Sequence, residues 1–268
     1  MHTATVTLPG GTFWMGSDDF YPEERPLRQE TVGAFSLDVY PVTVAQFAAF
    51  VELTHYVTTA EARGHSHVFR MTEGPVDLSR PSQWWVSVPG ANWRKPDGVR
   101  AAQDDHPVVQ VSLADAKAYA KWVGGRLPTE REWEYAARGG LDRQAYAWGN
   151  AFCPDGRERA HVWSGSFPWY YAKAGTPGTR SVGLYEPNGY GFHDLIGNCW
   201  ELTASAFDAN RQPACCSCSP QQDAHTLWVA KGGSHLCAAE YCLRYRPAAR
   251  IGIQADVSTS HLGFRCAY

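Results

Sequence analysis

The sequence has 268 residues, 44% of them hydrophobic and 19% charged, which is enough to bury one large core. Its formal net charge of -3 gives no electrostatic ground for nucleic acid or an anionic membrane as partner. No apolar run reaches bilayer-spanning length, and no basic segment precedes an apolar stretch at the N-terminus, so the expected setting is the cytoplasm.

In chain order, Thr3 to Leu8 alternates polar and apolar residues like a half-buried strand. Pro9-Gly10-Gly11 supplies a turn, Thr12 to Met15 a second strand, and Phe35 to Tyr40 another. A helix is expected after Thr43, with Val44, Phe47, Phe50 and Val51 on one face and a capping box from Thr43 to Gln46. Residues 71–105 show no sustained period and are expected to form a long ordered loop packed by Trp84, Trp85 and Trp93. Ser112 precedes a helix over Leu113 to Val123 that stops at Gly124-Gly125. Thr129 caps another over Glu130 to Arg138, with Glu132 in the capping-box position. Beyond residue 140 come short apolar segments between turn signals, with no helix of any length. No linker or repeat interrupts the chain, so residues 1–268 form one domain: α+β, loop-rich and low in regular secondary structure. The 11 Trp, 13 Tyr and 11 Phe beside 25 Gly and 17 Pro fit that class.

Eight cysteines are present, and in a reducing compartment they stay free unless a metal or catalysis claims them. Cys237 and Cys242, separated by four residues, do not fit the two-residue gap of a thioredoxin-type or common zinc motif. On a bend, both sulfurs can converge on one point. Two thiolates suit a soft ion of low coordination, Cu(I) better than zinc. Arg244 and Arg246 would favour the thiolate form, and Gly232-Gly233 would let backbone approach closely. The residues alone leave two other readings open, buried hydrophobes and a simple disulfide.

At this segment the chain resembles formylglycine-generating enzymes. The likeness is carried by Gly232-Gly233-Ser234, Cys237, Cys242, Arg244-Tyr245-Arg246 and Gly263-Phe264-Arg265-Cys266. It extends over nearly the whole chain through Trp84-Trp85, Gly90-Ala91-Asn92-Trp93-Arg94, Leu127-Pro128-Thr129-Glu130 and Gly197-Asn198 with Trp200-Glu201. The Leu-Pro-Thr-Glu and Gly-Asn-x-Trp-Glu pieces mark the broad superfamily. The Trp-Trp and Ala-Asn-Trp-Arg stretches and the cysteine pair are more specific.

The resemblance implies a fold related to C-type-lectin-like folds and an O2-using copper oxidase that converts a cysteine of a target protein or peptide to Cα-formylglycine. A sulfatase is among the targets it suggests. It makes Cys237 and Cys242 the copper ligands, with Cys242 also meeting the substrate thiol. It places Ser234 and Tyr241 in the lining of the catalytic site, and Trp84 and Trp85 along the groove for an extended peptide. A calcium ion would be held by Asp194, Gly197, Cys199 and Glu201, whose two carboxylates supply hard oxygens. The family's other calcium site is expected to be lost, with His161 at its leading Asn and no carboxylate in Ala174-Gly175-Thr176-Pro177.

Departures from the family pattern bear on substrate. Ile253-Gln254-Ala255-Asp256-Val257-Ser258 replaces the usual Asn-Thr-Pro-Asp-Ser-Ser, His261 stands for a substrate-binding Asn, and Leu202 to Ala206 replaces an aromatic stretch. These changes put the sulfatase-type Cys-x-Pro-x-Arg target in question more than the metal chemistry. The alternatives are a diverged copper oxidase acting on another peptide or small thiol, and a non-catalytic binding module. Ala120, Ala137 and Pro247 stand where secretory members pair cysteines, leaving Cys266 without its partner. Cys215, Cys216 and Cys218 have no counterpart and are expected on a surface loop without a ligand role.

Overall fold

The computed structural model describes residues 4–208 and 226–268. The cluster of Cys215, Cys216 and Cys218 lies outside them. Strand β1 (Thr5–Leu8) pairs antiparallel with β4 (Phe35–Asp38), and β2 (Gly11–Met15) with β3 (Arg28–Val32). Helix α1 (Val44–Thr54) carries the expected Thr43–Gln46 capping box and buries Val44, Phe47, Phe50 and Val51. Two further helices match their caps, α3 (Leu113–Trp122) behind Ser112 and α4 (Glu130–Arg138) behind Thr129.

Several elements, β3 among them, depart from the sequence reading. A short helix α2 (Thr59–Arg63) follows its own capping box, Thr58 with Glu61, and ends on Gly64 in the left-handed region. The 71–105 stretch is not all loop. Trp85–Pro89 is a strand, β6, in antiparallel register with β5 (His65–Phe69). Every residue of β6 is half-exposed or exposed, so no buried face alternates with an exposed one to mark it.

The central sheet has order β10-β7-β8-β9, from β7 (Trp200–Ala206), β8 (Leu227–Lys231), β9 (Arg250–Gln254) and the short β10 (Leu262–Gly263). Only β10 runs parallel to its neighbour. The main core joins α1 and α3 to this sheet through Phe47, Trp93, Tyr119, Trp200 and Phe264. An aromatic cluster of Phe69, Trp84, Trp163 and Phe167 stands beside it. The segments that enter and leave the central sheet supply one wall of the site described next.

Candidate functional site

Strand β8 ends in Gly232-Gly233, both in the left-handed region, at φ 90 and 75. A Cβ on Gly232 would lie 2.5 Å from the Leu195 carbonyl oxygen, and one on Gly233 2.8 Å from that of Arg244. Only glycine permits this approach. The Gly197-Asn198 turn holds the next residues: Gly197 donates its amide to Gly232 O, and Asn198 O accepts from both the amide and Nδ1 of His235.

Two tight turns then bring the thiols together. The Cys237 amide donates to Ser234 O and the Cys242 amide to Ala238 O, which folds the four intervening residues back on themselves. The sulfurs stand 3.1 Å apart, much farther than the ~2.05 Å of a disulfide. Both cysteines are buried free thiols. The Ser234 amide donates to Cys237 Sγ at 3.4 Å, and Ser234 Oγ accepts from the Leu236 amide at 3.2 Å.

Cys242 is drawn below the ordinary thiol range, first by its hydrogen bond from Cys237 and then by Arg244. Cys237 is pushed up by burial and by its neighbour. Arg244 thus acts as the sequence suggests, but Arg246 does not, because Glu24 claims its guanidinium through two bonds of 2.7 and 2.5 Å. Residues 20–24 grip this side of the loop: Tyr21 Oη accepts from the Leu243 amide, Arg244 lies 3.7 Å over the Tyr21 ring, and Glu23 pairs with Arg244 at 2.6 Å.

Beside the sulfurs opens a cavity of ≈ 130 Å³. Ser234, Cys237, Tyr241, Cys242, Trp84, Trp85 and His261 all line it, so the structure brings the proposed catalytic and substrate-binding residues to one place. Trp84 is a core ring at 1% exposure, whereas Trp85 is half-buried at the mouth. Tyr241 stacks on Phe167 with centroids 4.6 Å apart and meets Trp84 edge-on at 5.3 Å. His261 lies 4.7 Å from the Trp85 ring, and its Nδ1 is 2.7 Å from Thr259 Oγ1. Burial pushes its imidazole down to about 3, so it is neutral.

Sequence reasoning missed Phe167, Trp200 and Ile251 in this lining. Trp200 was visible in the Gly-Asn-x-Trp-Glu motif. Its role follows from strand alternation, since Glu201 turns the other way to bind Trp133 and Arg265. Phe167 carried no signal.

The four residues read as a calcium set lie on one stretch. Asp194 Oδ2 accepts from the Gly183 amide at 2.6 Å. Glu201 is held by two bonds from Arg265 and one from Trp133 Nε1. Gly197, at φ 78, lies against the His161 backbone, and Cys199 is buried. Burial raises the Asp194 carboxyl, against the Gly183 amide and the charge of Arg265, which already sits on Glu201. At the family's other calcium position, His161 Nε2 donates to Gly178 O at 2.9 Å.

The donor set beside the cavity fits a soft ion: two sulfurs, with no cluster of three or more His, Cys, Asp or Glu suited to a metal among the described residues.

Comparison with known proteins follows the same lines. The chain is 48% identical to a formylglycine-generating enzyme of Mycobacterium tuberculosis, over 99% of this chain and 98% of that one. It is 42% identical to an inactive Cα-formylglycine-generating enzyme 2 of Mus musculus, over 98% of this chain and 85% of that one. The solved structure of PvdO from Pseudomonas aeruginosa shares the fold, with TM-score 0.71 and 24% identity over 98% of this chain and 93% of that one. The model of the sulfatase-modifying factor enzyme 1-like domain matches residues 1–268, and the chain belongs to that family.

Proposed function

We propose that this chain oxidises a cysteine of a target protein or peptide to Cα-formylglycine, with Cu(I) held by Cys237 and Cys242 and O2 as oxidant. The observation that carries this reading is a pair of free thiols 3.1 Å apart that opens on an aromatic cavity. The relatives named for this conversion support it. The target's CH2–SH loses two hydrogens to become a thioaldehyde, and water hydrolyses that to the aldehyde and hydrogen sulfide. Reducing O2 to two waters takes four electrons, so a thiol reductant supplies the other two.

Copper, when bound, supplies the one-electron chemistry that couples a thiol to O2. The chain's own residues do the rest. Arg244 keeps negative charge on Cys242. Trp84, Phe167 and Tyr241 keep the cavity dry, and Trp85 with neutral His261 meets the target backbone at the mouth. Where the family has a substrate-binding Asn, His261 offers a single polar edge, a change that favours a target other than the sulfatase motif. The proposed setting is the cytoplasm, in keeping with five free cysteines among the described residues.

The test is a Cu(I) titration against a competing chelator, followed by incubation with O2, a thiol reductant and a panel of cysteine peptides including Cys-x-Pro-x-Arg. Wild type is expected to bind tightly and to yield an aldehyde by mass. Cys237→Ala and Cys242→Ala each lose about 100-fold or more in affinity and all turnover. Copper binding without turnover of any peptide would support a diverged oxidase. No copper binding would support a non-catalytic module.

A further inference from the structure

Ser234, Leu236 and Cys237 line the aromatic cavity, but His235 between them lines a second cavity, of ≈ 240 Å³. The oxidation proposed above makes no use of this space. Its floor includes the buried apolar side chains of Val68, Phe69 and Val109. Its charged lining is three arginines, Arg70, Arg100 and Arg180, against the single carboxylate of Asp97.

Arg100 is taken by Asp97 at 2.6 Å. The other two are oriented without being neutralised. Arg70 donates through Nη2 to the Asp97 carbonyl at 2.9 Å. Arg180 donates through Nη2 to the Ala174 carbonyl at 2.9 Å. Among the described residues neither has a carboxylate partner. The imidazoles of His106 and His235 also line the cavity and bring no carboxylate to it. Ser260 Oγ accepts from the Phe69 amide, which leaves its own hydrogen to donate.

We propose that this second cavity binds a small organic anion, a carboxylate or phosphate on a compact apolar body. The body rests on Val68, Phe69 and Val109 and the anionic head faces Arg180 and Arg70. A guanidinium already steered by one carbonyl contact presents its remaining N–H groups at little entropic cost, which suits planar or tetrahedral oxyanions. The apolar floor lowers the local dielectric and strengthens that attraction. A cationic ligand would meet the wrong charge.

Phenyl phosphate and benzoate are titrated into the full chain at low ionic strength, followed by calorimetry and ligand-detected NMR, with benzylammonium as the charge-reversed probe. Saturable binding of at least one anion is expected. It should weaken by about tenfold or more in Arg180→Gln and in Arg70→Gln and be retained in Arg63→Gln, whose arginine pairs with Asp256 elsewhere. Arg70 is exposed, so its substitution leaves the fold intact even if Arg180→Gln loosens its loop. The stronger of the two anions identifies the head group. The proposal is overturned by no saturable binding of either anion in the millimolar range, by equal binding of benzylammonium, or by wild-type affinity in both arginine variants. The readout needs neither copper nor turnover, so its failure is distinguishable from failure of the oxidase reading.

Discussion

Asp38, in β4, is buried and accepts a hydrogen bond from the Cys266 amide at 3.0 Å. Burial dominates its titration and raises the carboxyl from 3.8 to about 6, against the opposing pull of Arg265. The folded state therefore holds this proton more tightly than the unfolded chain. The stability it contributes is fully present below pH 3.8 and is lost as pH rises through about 6. An Asn at this position keeps an acceptor for Cys266 and cannot ionise. Urea unfolding is expected to show wild type losing roughly 1.4 kcal/mol per pH unit relative to Asp38→Asn across that window. The variant should be the more stable at pH 7, by up to ~3 kcal/mol. Parallel pH curves for the two proteins would contradict this account.

At the scale of elements, helix starts were legible because capping is local chemistry. Thr43, Ser112 and Thr129 each accept from the N3 amide while the N3 side chain reaches back. The same box at Thr58 and Glu61 gives no clear helix signal in the sequence, because α2 has only five residues, too few to show a helical period. The β5–β6 hairpin was illegible because its identity depends on cross-strand pairing and on Trp85 lying at a cavity mouth, which local pattern does not encode. The cysteine spacing suggested convergence without revealing the two turns that achieve it. Those turns depend on Gly233. Substituting Gly233→Ala forces a Cβ to within 2.8 Å of the Arg244 carbonyl oxygen and 3.0 Å of Tyr245 Cα, at positive φ. The expected cost is about 1–3 kcal/mol of stability, read by chemical denaturation, together with weakened Cu(I) binding. Full stability in the variant would show that the loop tolerates another path.

Among the described residues, buried cations meet buried carboxylates across the fold: Arg246 with Glu24, Lys231 with Glu134, Arg250 with Glu130, Arg265 with Glu201. Each joins segments far apart in sequence, and breaking one would strand a buried charge. None was predicted, since partners of this kind are set by the finished fold. Asp194, like Asp38, is bonded to an amide rather than paired with a cation, and Glu201 adds repulsion. If calcium belongs there, adding it after exhaustive chelation raises the melting midpoint by on the order of 5–10 °C, and Asp194→Ala abolishes the response. An unchanged midpoint would leave Asp194 as a turn residue only.

The grip of residues 20–24 on the thiol loop has a consequence for biogenesis. Glu23 meets Arg244 across 221 positions of chain, and Phe20 stacks under Arg246 at 3.5 Å. Closing so long a separation is slow, and the upstream segment must wait for its partner to be made. The thiol loop is therefore among the last parts of the fold to take shape, closing only after residues 237–246 have been added and packed against residues 20–24.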